Sequence, residues 1–153
     1  MNIEIHTQQA TLLHLNEIMK IEHACFDMDA FSGQQMAYLI SRAKGIFMIA
    51  KSDNRVVGYI AFITSERHHT GRVYSIAVMP EFRNSGVGGK LLEKVIEYAS
   101  QKELKAVFLE VRTDNLVAIS VYEKKGFTKR LVKPDYYHDG TAAYSMVLYL
   151  KRI

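Results

Sequence analysis

A glycine-rich segment at residues 83–90 (RNSGVGGK) separates a strand-like run at residues 73–78 (VYSIAV) from an amphipathic run at residues 87–99. The three glycines of the segment lack the Cβ atom that would keep a ligand away from the backbone. The N-terminus of the helix that follows carries a partial positive charge of about half an elementary charge. A strand, a glycine-rich turn and a helix in this order therefore predict an α/β fold with an anion site, suited to a pyrophosphate, at the turn.

The segment differs from two common phosphate-binding motifs. It contains no GxxxxGK[ST] sequence. It also lacks GxGxxG, and the strand before it is the fourth along the chain, whereas a dinucleotide-binding fingerprint follows the first. Glycines before a helix also occur in plain tight turns, so this segment alone leaves that alternative open.

Hydrophobic periodicity and turn residues predict the other elements. An alternating run at residues 3–5 predicts a first strand, and apolar residues at helical spacing from Leu12 predict the first helix. The remaining elements are a short helix at 34–42, a hairpin of 46–51 and 56–64, a strand at 106–111, a helix at 116–125 capped by Thr113 or Asp114 and closed by Gly126, and strands at 127–132 and 142–150. The order βααβββαβαββ predicts a mixed α/β sheet in a single domain, residues 1–153.

Composition narrows the class of protein. Hydrophobic residues make up 48% and charged residues 24%, as in soluble globular domains. No apolar run reaches membrane-spanning length and no secretory signal is recognisable, so we expect a cytoplasmic protein without a membrane partner, either a monomer or a homodimer. The net charge of +4 is scattered along the chain, which does not favour nucleic acid as a partner. Cys25 reads as a buried helix residue, and the dispersed histidines predict no metal site.

A resemblance to a known family begins at the glycine-rich segment. After the run IAVMPEF, the pattern Arg83-x-x-Gly86-x-Gly88 resembles the coenzyme A pyrophosphate loop of the GNAT acetyltransferases. The resemblance implies the GNAT acyl-CoA N-acyltransferase fold and acetyl-CoA as the cofactor. It implies these cofactor-binding residues: Ile76, Ala77, Val78, Arg83, Asn84, Ser85, Gly86, Val87, Gly88, Gly89, Lys90, Asn115 and Tyr122.

A second motif agrees with the first. The sequence LEVR at 109–112, followed by Asn115, Ala118, Tyr122 and the pair at 126–127, resembles the LEVR…N…A…Y…GF pattern of the same superfamily. A helix-start role for Asn115 is the alternative to a contact with the pantetheine arm of the cofactor.

More narrowly, LEVR, Tyr122 and the pair Tyr136-Tyr137 resemble the ribosomal-protein-alanine N-acetyltransferases of the RimI type. The chain departs from that pattern on the substrate side. Ala30-Phe31 replaces a proline-tryptophan pair, and an acidic residue near the last strand is missing around residues 142–143.

Acetyl transfer from a thioester to an amine needs a base for the amine proton and an acid for the departing thiolate. The resemblance and the predicted elements assign Glu110 as the base, acting directly or through a water, and Tyr122 as the acid. Their alternatives are a surface or ion-paired glutamate and a core tyrosine. Phe31, Tyr136 and Tyr137 are the candidate acceptor-binding residues, and a plain hairpin contact is the alternative for the two tyrosines.

Three functions stay open at this stage. The first is acetylation of a protein N-terminal α-amine, because an α-amino group with a pKa near 8 is about one-tenth neutral at pH 7 and needs only a modest base. The second is acetylation of a small amine, such as a polyamine or an amino acid. The third is a non-catalytic acyl-CoA-binding module.

Overall fold

The computed structural model describes residues 4–150, which form one seven-stranded sheet and four α-helices. The order βααβββαβαββ is confirmed. The strands are β1 His6–Gln9, β2 Gly45–Ser52, β3 Arg55–Ser65, β4 Thr70–Val78, β5 Ala106–Arg112, β6 Thr128–Lys133 and β7 Ala143–Tyr149. The helices are α1 Leu15–Cys25, α2 Gly33–Ser41, α3 Val87–Gln101 and α4 Leu116–Lys124.

Local sequence signals explain several boundaries. The turn between β2 and β3 consists of Asp53 and Asn54, both with positive φ, as a two-residue hairpin turn requires. Ser32 begins α2 with a capping box, in which its hydroxyl accepts from the Gln35 N–H. Gly126 ends α4 with φ +100°, in the left-handed region that favours glycine.

Three sequence-based expectations need correction. The first strand is His6–Gln9, so Glu4 and Ile5 precede it, while Ile3 lies outside the described residues. The N-cap of α4 is Asn115, whose amide oxygen accepts from the Ala118 N–H, and neither Thr113 nor Asp114 has this role. Cys25 is the last residue of α1 and only half-buried.

The strands lie in the order β1-β2-β3-β4-β5-β7-β6, and only β4 and β5 run parallel. That parallel pairing covers three residues on each strand, Thr70 to Arg72 against Ala106 to Phe108. Beyond it, β4 continues to Val78 and β5 to Arg112 without pairing to each other. The two strands therefore separate and leave a gap at their carboxyl ends.

Two apolar cores cover the sheet unequally. One core packs α3 against both halves of the sheet, with Leu91, Val95, Val107 and Leu109 among its buried members. The other core packs α1 and α2 against β2, β3 and β4, and none of its buried members belongs to β5, β6 or β7 within residues 4–150. The face of β5, β7 and β6 that lies opposite α3 is therefore left without a helix.

Candidate active site

The gap between β4 and β5 leaves backbone groups of β4 without a strand partner on that side. At Ala61 and Phe62 of β3 the pairing partners change from Ser75 to Val73, so Tyr74 is an extra residue, a β-bulge. Beyond the bulge lie the candidate cofactor residues Ile76, Ala77 and Val78. Unpaired backbone N–H and C=O groups need partners, and the amides of a pantetheine arm could provide them.

The glycine-rich turn meets the requirements of an anion site. Gly86 is the N-cap of α3 with φ +80°, and it supplies no side-chain cap. The first donor inside the helix is the Lys90 N–H, bonded to the Gly86 carbonyl, so the N–H groups of Val87, Gly88 and Gly89 precede the helical hydrogen-bond ladder. The first turn of α3 also contains no acidic residue, so no carboxylate there competes with an incoming phosphate.

The space above these glycines is open. A Cβ built at Gly88 would meet only the Val78 side chain, at 3.8 Å, and one at Gly89 would meet the end of Lys125 at 3.7 Å. The protein itself would tolerate a side chain at either position. The space beside Gly88 is therefore open to a ligand, and the partial positive charge of the helix N-terminus suits a diphosphate there.

The remaining residues of the turn have varied contacts. Val87 is buried, with only 1% of the residue exposed. Lys90 donates from Nζ to the Ile5 carbonyl at 3.3 Å. Arg83 donates to the Val78 carbonyl and to the Cys25 Sγ, both at 3.3 Å. Asn84 has φ +68° and is exposed, as is Ser85.

Glu110 lies on β5 at the gap, on the face opposite its buried neighbours Leu109 and Val111. Its side chain is 7% exposed and forms ion pairs with Arg72, through Oε1, and with Lys133, whose Nζ lies 3.2 Å from Oε2. The ion-paired alternative for Glu110 is therefore present in the structure. The pairs also fix the direction of a carboxylate that borders the gap.

Tyr122 lies on α4 and is 7% exposed, with its ring 6.1 Å from that of Phe127. Burial raises the pKa of its phenol to about 12. Within residues 4–150 every fully buried side-chain oxygen has a hydrogen-bond partner. The Tyr122 hydroxyl has none there, so its oxygen is in contact with solvent. The phenol therefore stays protonated at neutral pH and is a weaker acid than a free tyrosine.

The tyrosine pair lies in the loop between β6 and β7. The Tyr136 hydroxyl accepts from Arg72 Nη2 at 3.0 Å, and the rings of Tyr136 and Tyr137 meet edge to face at 4.9 Å. Burial, with smaller contributions from Tyr136, Glu110 and Tyr122, raises the pKa of Tyr137. Tyr137 therefore lies near both candidate catalytic side chains.

Phe31 joins the same site from the loop between α1 and α2. Its ring stacks on the ring of Tyr74, with the two centroids 5.6 Å apart. The Arg72 guanidinium also lies over the Tyr74 ring, 5.5 Å from its centroid. The two loops also touch directly, because the His138 N–H donates to Asp29 Oδ1 at 3.0 Å. The α1–α2 and β6–β7 loops, which carry the candidate acceptor-binding residues, thus contact each other.

Sequence reasoning missed Arg72, Tyr74 and Lys133. The strand register indicates the role of Arg72. It pairs with Phe108 and therefore lies on the same face of the sheet as Glu110, beside it. That register is visible only after the parallel pairing of β4 and β5 is known. Lys133 gave no local signal, because only the hairpin of β6 and β7 brings it to Glu110.

A buried carboxylate, also missed, supports the α1–α2 loop. Glu22 is fully buried and accepts from the Phe31 N–H at 2.8 Å and from the Tyr59 hydroxyl. The Tyr59 hydroxyl also lies 2.7 Å from Ser75 Oγ on β4. Burial and the nearby Glu22 raise the pKa of Tyr59 well above its ordinary value. The network fixes Phe31 relative to β4.

We expect Glu22→Ala to lower the free energy of unfolding by roughly 2–4 kcal/mol, because it removes the carboxylate acceptor of the buried Tyr59 hydroxyl and of the Phe31 N–H and opens a cavity. Urea denaturation would measure the loss. Lys20→Ala, at an exposed position of the same helix, is the matched control. A loss no larger than that of the control would show that the network does not stabilise the fold.

Among residues 4–150, no cluster of three or more histidine, cysteine or acidic side chains could hold a metal ion. No helix in that part of the chain is long and apolar enough to span a membrane.

Comparisons with known proteins agree with this geometry. An N-alpha-acetyltransferase of Sulfurisphaera tokodaii is 32% identical over 94% of this chain and 92% of that protein. The crystal structure of the ribosomal-protein-S18-alanine N-acetyltransferase from Escherichia coli has a TM-score of 0.87 at 22% identity, covering 98% of this chain and 96% of that one. A crystal structure of the NatC complex bound to Gag peptide and CoA contains a chain with a TM-score of 0.87 at 22% identity, covering 97% of this chain and all of that one.

Relatives from Archaeoglobus fulgidus and Saccharolobus solfataricus are matched over only 61% and 66% of their own length. Residues 15–127 match the model of the acetyltransferase (GNAT) family. The chain therefore belongs to the acetyltransferase (GNAT) family.

Proposed function

We propose that this protein is an acetyl-CoA-dependent N-acetyltransferase that acetylates the N-terminal α-amine of a protein, with Glu110 and Tyr122 as its catalytic residues. The observation that carries the proposal is the position of Glu110 at the β4–β5 gap, where its partner Arg72 also bonds to Tyr136 of the β6–β7 loop, which in turn contacts the α1–α2 loop. Further support comes from the N-alpha-acetyltransferase that covers most of the chain and from the peptide-bound neighbour.

The cofactor, when bound, supplies a thioester. The N–H groups at the start of α3 would hold its diphosphate, and backbone groups of β4 that face the gap would orient its pantetheine arm. Asn115 can contact the arm with its amide N–H, since its amide oxygen is used by the helix cap. Tyr136, Tyr137 and Phe31 enclose the acceptor and keep bulk water away.

In the reaction, the acceptor nitrogen forms a bond to the acetyl carbon while the carbon–sulfur bond breaks. Glu110 receives the amine proton through a water, and the Tyr122 hydroxyl delivers a proton to the departing sulfur. With a pKa of about 12, the phenol is always in its acid form when this step occurs. A thiol has a pKa of about 8.5, so this proton transfer is uphill, and the proton that the amine releases to Glu110 balances the one that Tyr122 must regain before the next turnover.

The pKa values lead to a pH prediction. We expect kcat/KM for a peptide to rise with pH until the α-amine is neutral at about pH 8 and then to stay level to about pH 10. No descending limb is expected there, because Tyr122 loses its proton only near pH 12. Initial rates in constant-ionic-strength buffers would measure the profile. A fall with an apparent pKa below 10 would contradict the assignment of Tyr122 as the acid.

The function itself is tested with peptides that carry both a free α-amine and an internal lysine. Mass spectrometry should place a single acetyl group on the α-amine. Peptides beginning with alanine or serine come first, as the RimI-type resemblance suggests. The matched control is the same peptide with its α-amine already blocked, which should not react. Acetylation of the blocked peptide would indicate a lysine acetyltransferase.

Two other outcomes would replace the proposal. Turnover of a polyamine or an amino acid, with all peptides inert, would make the enzyme a small-amine acetyltransferase. Tight CoA binding without turnover of any amine would favour a non-catalytic acyl-CoA-binding module.

A further inference from the structure

The face of β5, β7 and β6 that lies opposite α3 borders the acceptor side of the gap. Val107 and Leu109 point into the core beneath α3, so Phe108 and Glu110, at the alternate positions of β5, lie on this other face. Ser145 of β7 is the cross-strand partner of Glu110 and shares the face with it. This surface therefore continues directly from the candidate catalytic carboxylate.

A cleft of about 440 Å³ opens on this face. Its lining includes Arg72, Phe108, Glu110, Arg130, Lys133 and Ser145. Three of these six side chains are cationic and only one is anionic. A cleft of this kind could receive the part of an acceptor chain that follows the reacting amine.

The charges in the cleft do not cancel. Glu110 is engaged by Arg72 and Lys133, one at each carboxylate oxygen. Arg130 is exposed, and within residues 4–150 no carboxylate oxygen lies within 4 Å of it. Its guanidinium instead lies over the Phe108 ring at 5.4 Å and 3.4 Å from Ser145 Oγ. An incoming carboxylate could therefore pair with Arg130 without displacing another one.

The distance from Glu110 to Arg130 sets which acceptor residue could reach it. Ser145 lies one strand from Glu110, and Arg130 lies on the next strand. Two strand spacings amount to about 10 Å, which an extended peptide covers in roughly three residues. The second to fourth residues of an acceptor would pass over this cation.

We propose that the preferred acceptors carry an acidic side chain at the second to fourth position, and that Arg130, assisted by Lys133, binds it. This specificity rests on the proposed N-terminal acetylation. It is supported by an exposed, carboxylate-free arginine beside the catalytic glutamate and by the net positive charge of the cleft. Complementary charge favours such acceptors and disfavours basic ones.

The test compares three peptides that differ only at positions three and four, which are Asp-Asp, Asn-Asn or Lys-Lys. We expect kcat/KM to fall roughly tenfold at each step in that order, mainly through KM, at low ionic strength. Arg130→Glu should reverse the order. The matched control is Lys129→Glu, which changes the net charge equally on the same strand but lies over the Tyr144 ring, on the opposite face.

The outcomes separate this specificity from the function on which it rests. Equal rates on all three peptides, or an order that Arg130→Glu and Lys129→Glu change equally, would overturn the acidic preference and leave N-terminal acetylation standing. No acetylation of any peptide by protein that binds CoA would overturn both.

Discussion

Replacing Gly88 with valine should weaken CoA binding by roughly 10²–10⁴-fold, while the protein stays folded. The first turn of α3 offers the N–H groups of Val87, Gly88 and Gly89 to a diphosphate, and a hydrogen bond to a charged group is worth about 1.5–3 kcal/mol. A side chain at position 88 would keep the ligand away from at least two of these donors. Titration calorimetry with CoA would measure the loss.

We expect the Gly88 variant to fold normally, because a Cβ at Gly88 meets only one atom, at an ordinary contact distance of 3.8 Å. Gly33→Val is the matched control, since Gly33 also lies in the first turn of a helix and has nothing within 4 Å of its Cβ position. Equal CoA affinity in both variants would place the diphosphate elsewhere. Unfolding of the Gly88 variant alone would mean that this glycine has a structural role.

Replacing Tyr122 with phenylalanine should lower kcat by roughly 10²–10⁴-fold, the usual contribution of a general acid. The affinity for CoA should change little, because the ring remains in place. Stability should not fall, since the hydroxyl makes no hydrogen bond within residues 4–150 and leaves none broken. Single-turnover kinetics and urea denaturation would measure the two effects.

Tyr98→Phe is a suitable comparison, because Tyr98 is a partly buried tyrosine of α3 whose hydroxyl bonds to the Gly45 carbonyl, remote from the gap. We expect that variant to keep its activity. If Tyr122→Phe retained full kcat, the proton of the leaving group would have to come from another donor, and the nearby Tyr137 would be the next to test.

The sequence predicted the elements well because their signals are local. Asp53 and Asn54 define a two-residue turn, Gly126 defines a helix end, and the amphipathic spacing of α3 is complete within its own 15 residues. The glycine-rich turn and the LEVR motif likewise lie in continuous stretches of chain. The family could therefore be recognised without a structure.

The rest depends on contacts between distant parts of the chain. In the sequence, Glu22 is indistinguishable from the other polar residues of an amphipathic helix. Only the structure shows that Tyr59 and Phe31 bond to it. The ion pairs of Glu110 with Arg72 and Lys133 join residues of three strands. The excess positive charge at Arg130 can be recognised only when the residues that line the cleft are known. The raised pKa of Tyr122 follows from burial, which the sequence does not quantify.

The short β4–β5 pairing has a consequence for the stability of the protein in the cell. Only three residues of each strand join the two halves of the sheet, and a bound pantetheine arm would complete the missing part of that seam. A ligand that binds only the folded chain raises its stability in proportion to RT ln(1 + [L]/Kd). The lifetime of the protein would then follow the cell's supply of acetyl-CoA, so that metabolic state acts on the amount of enzyme as well as on its rate.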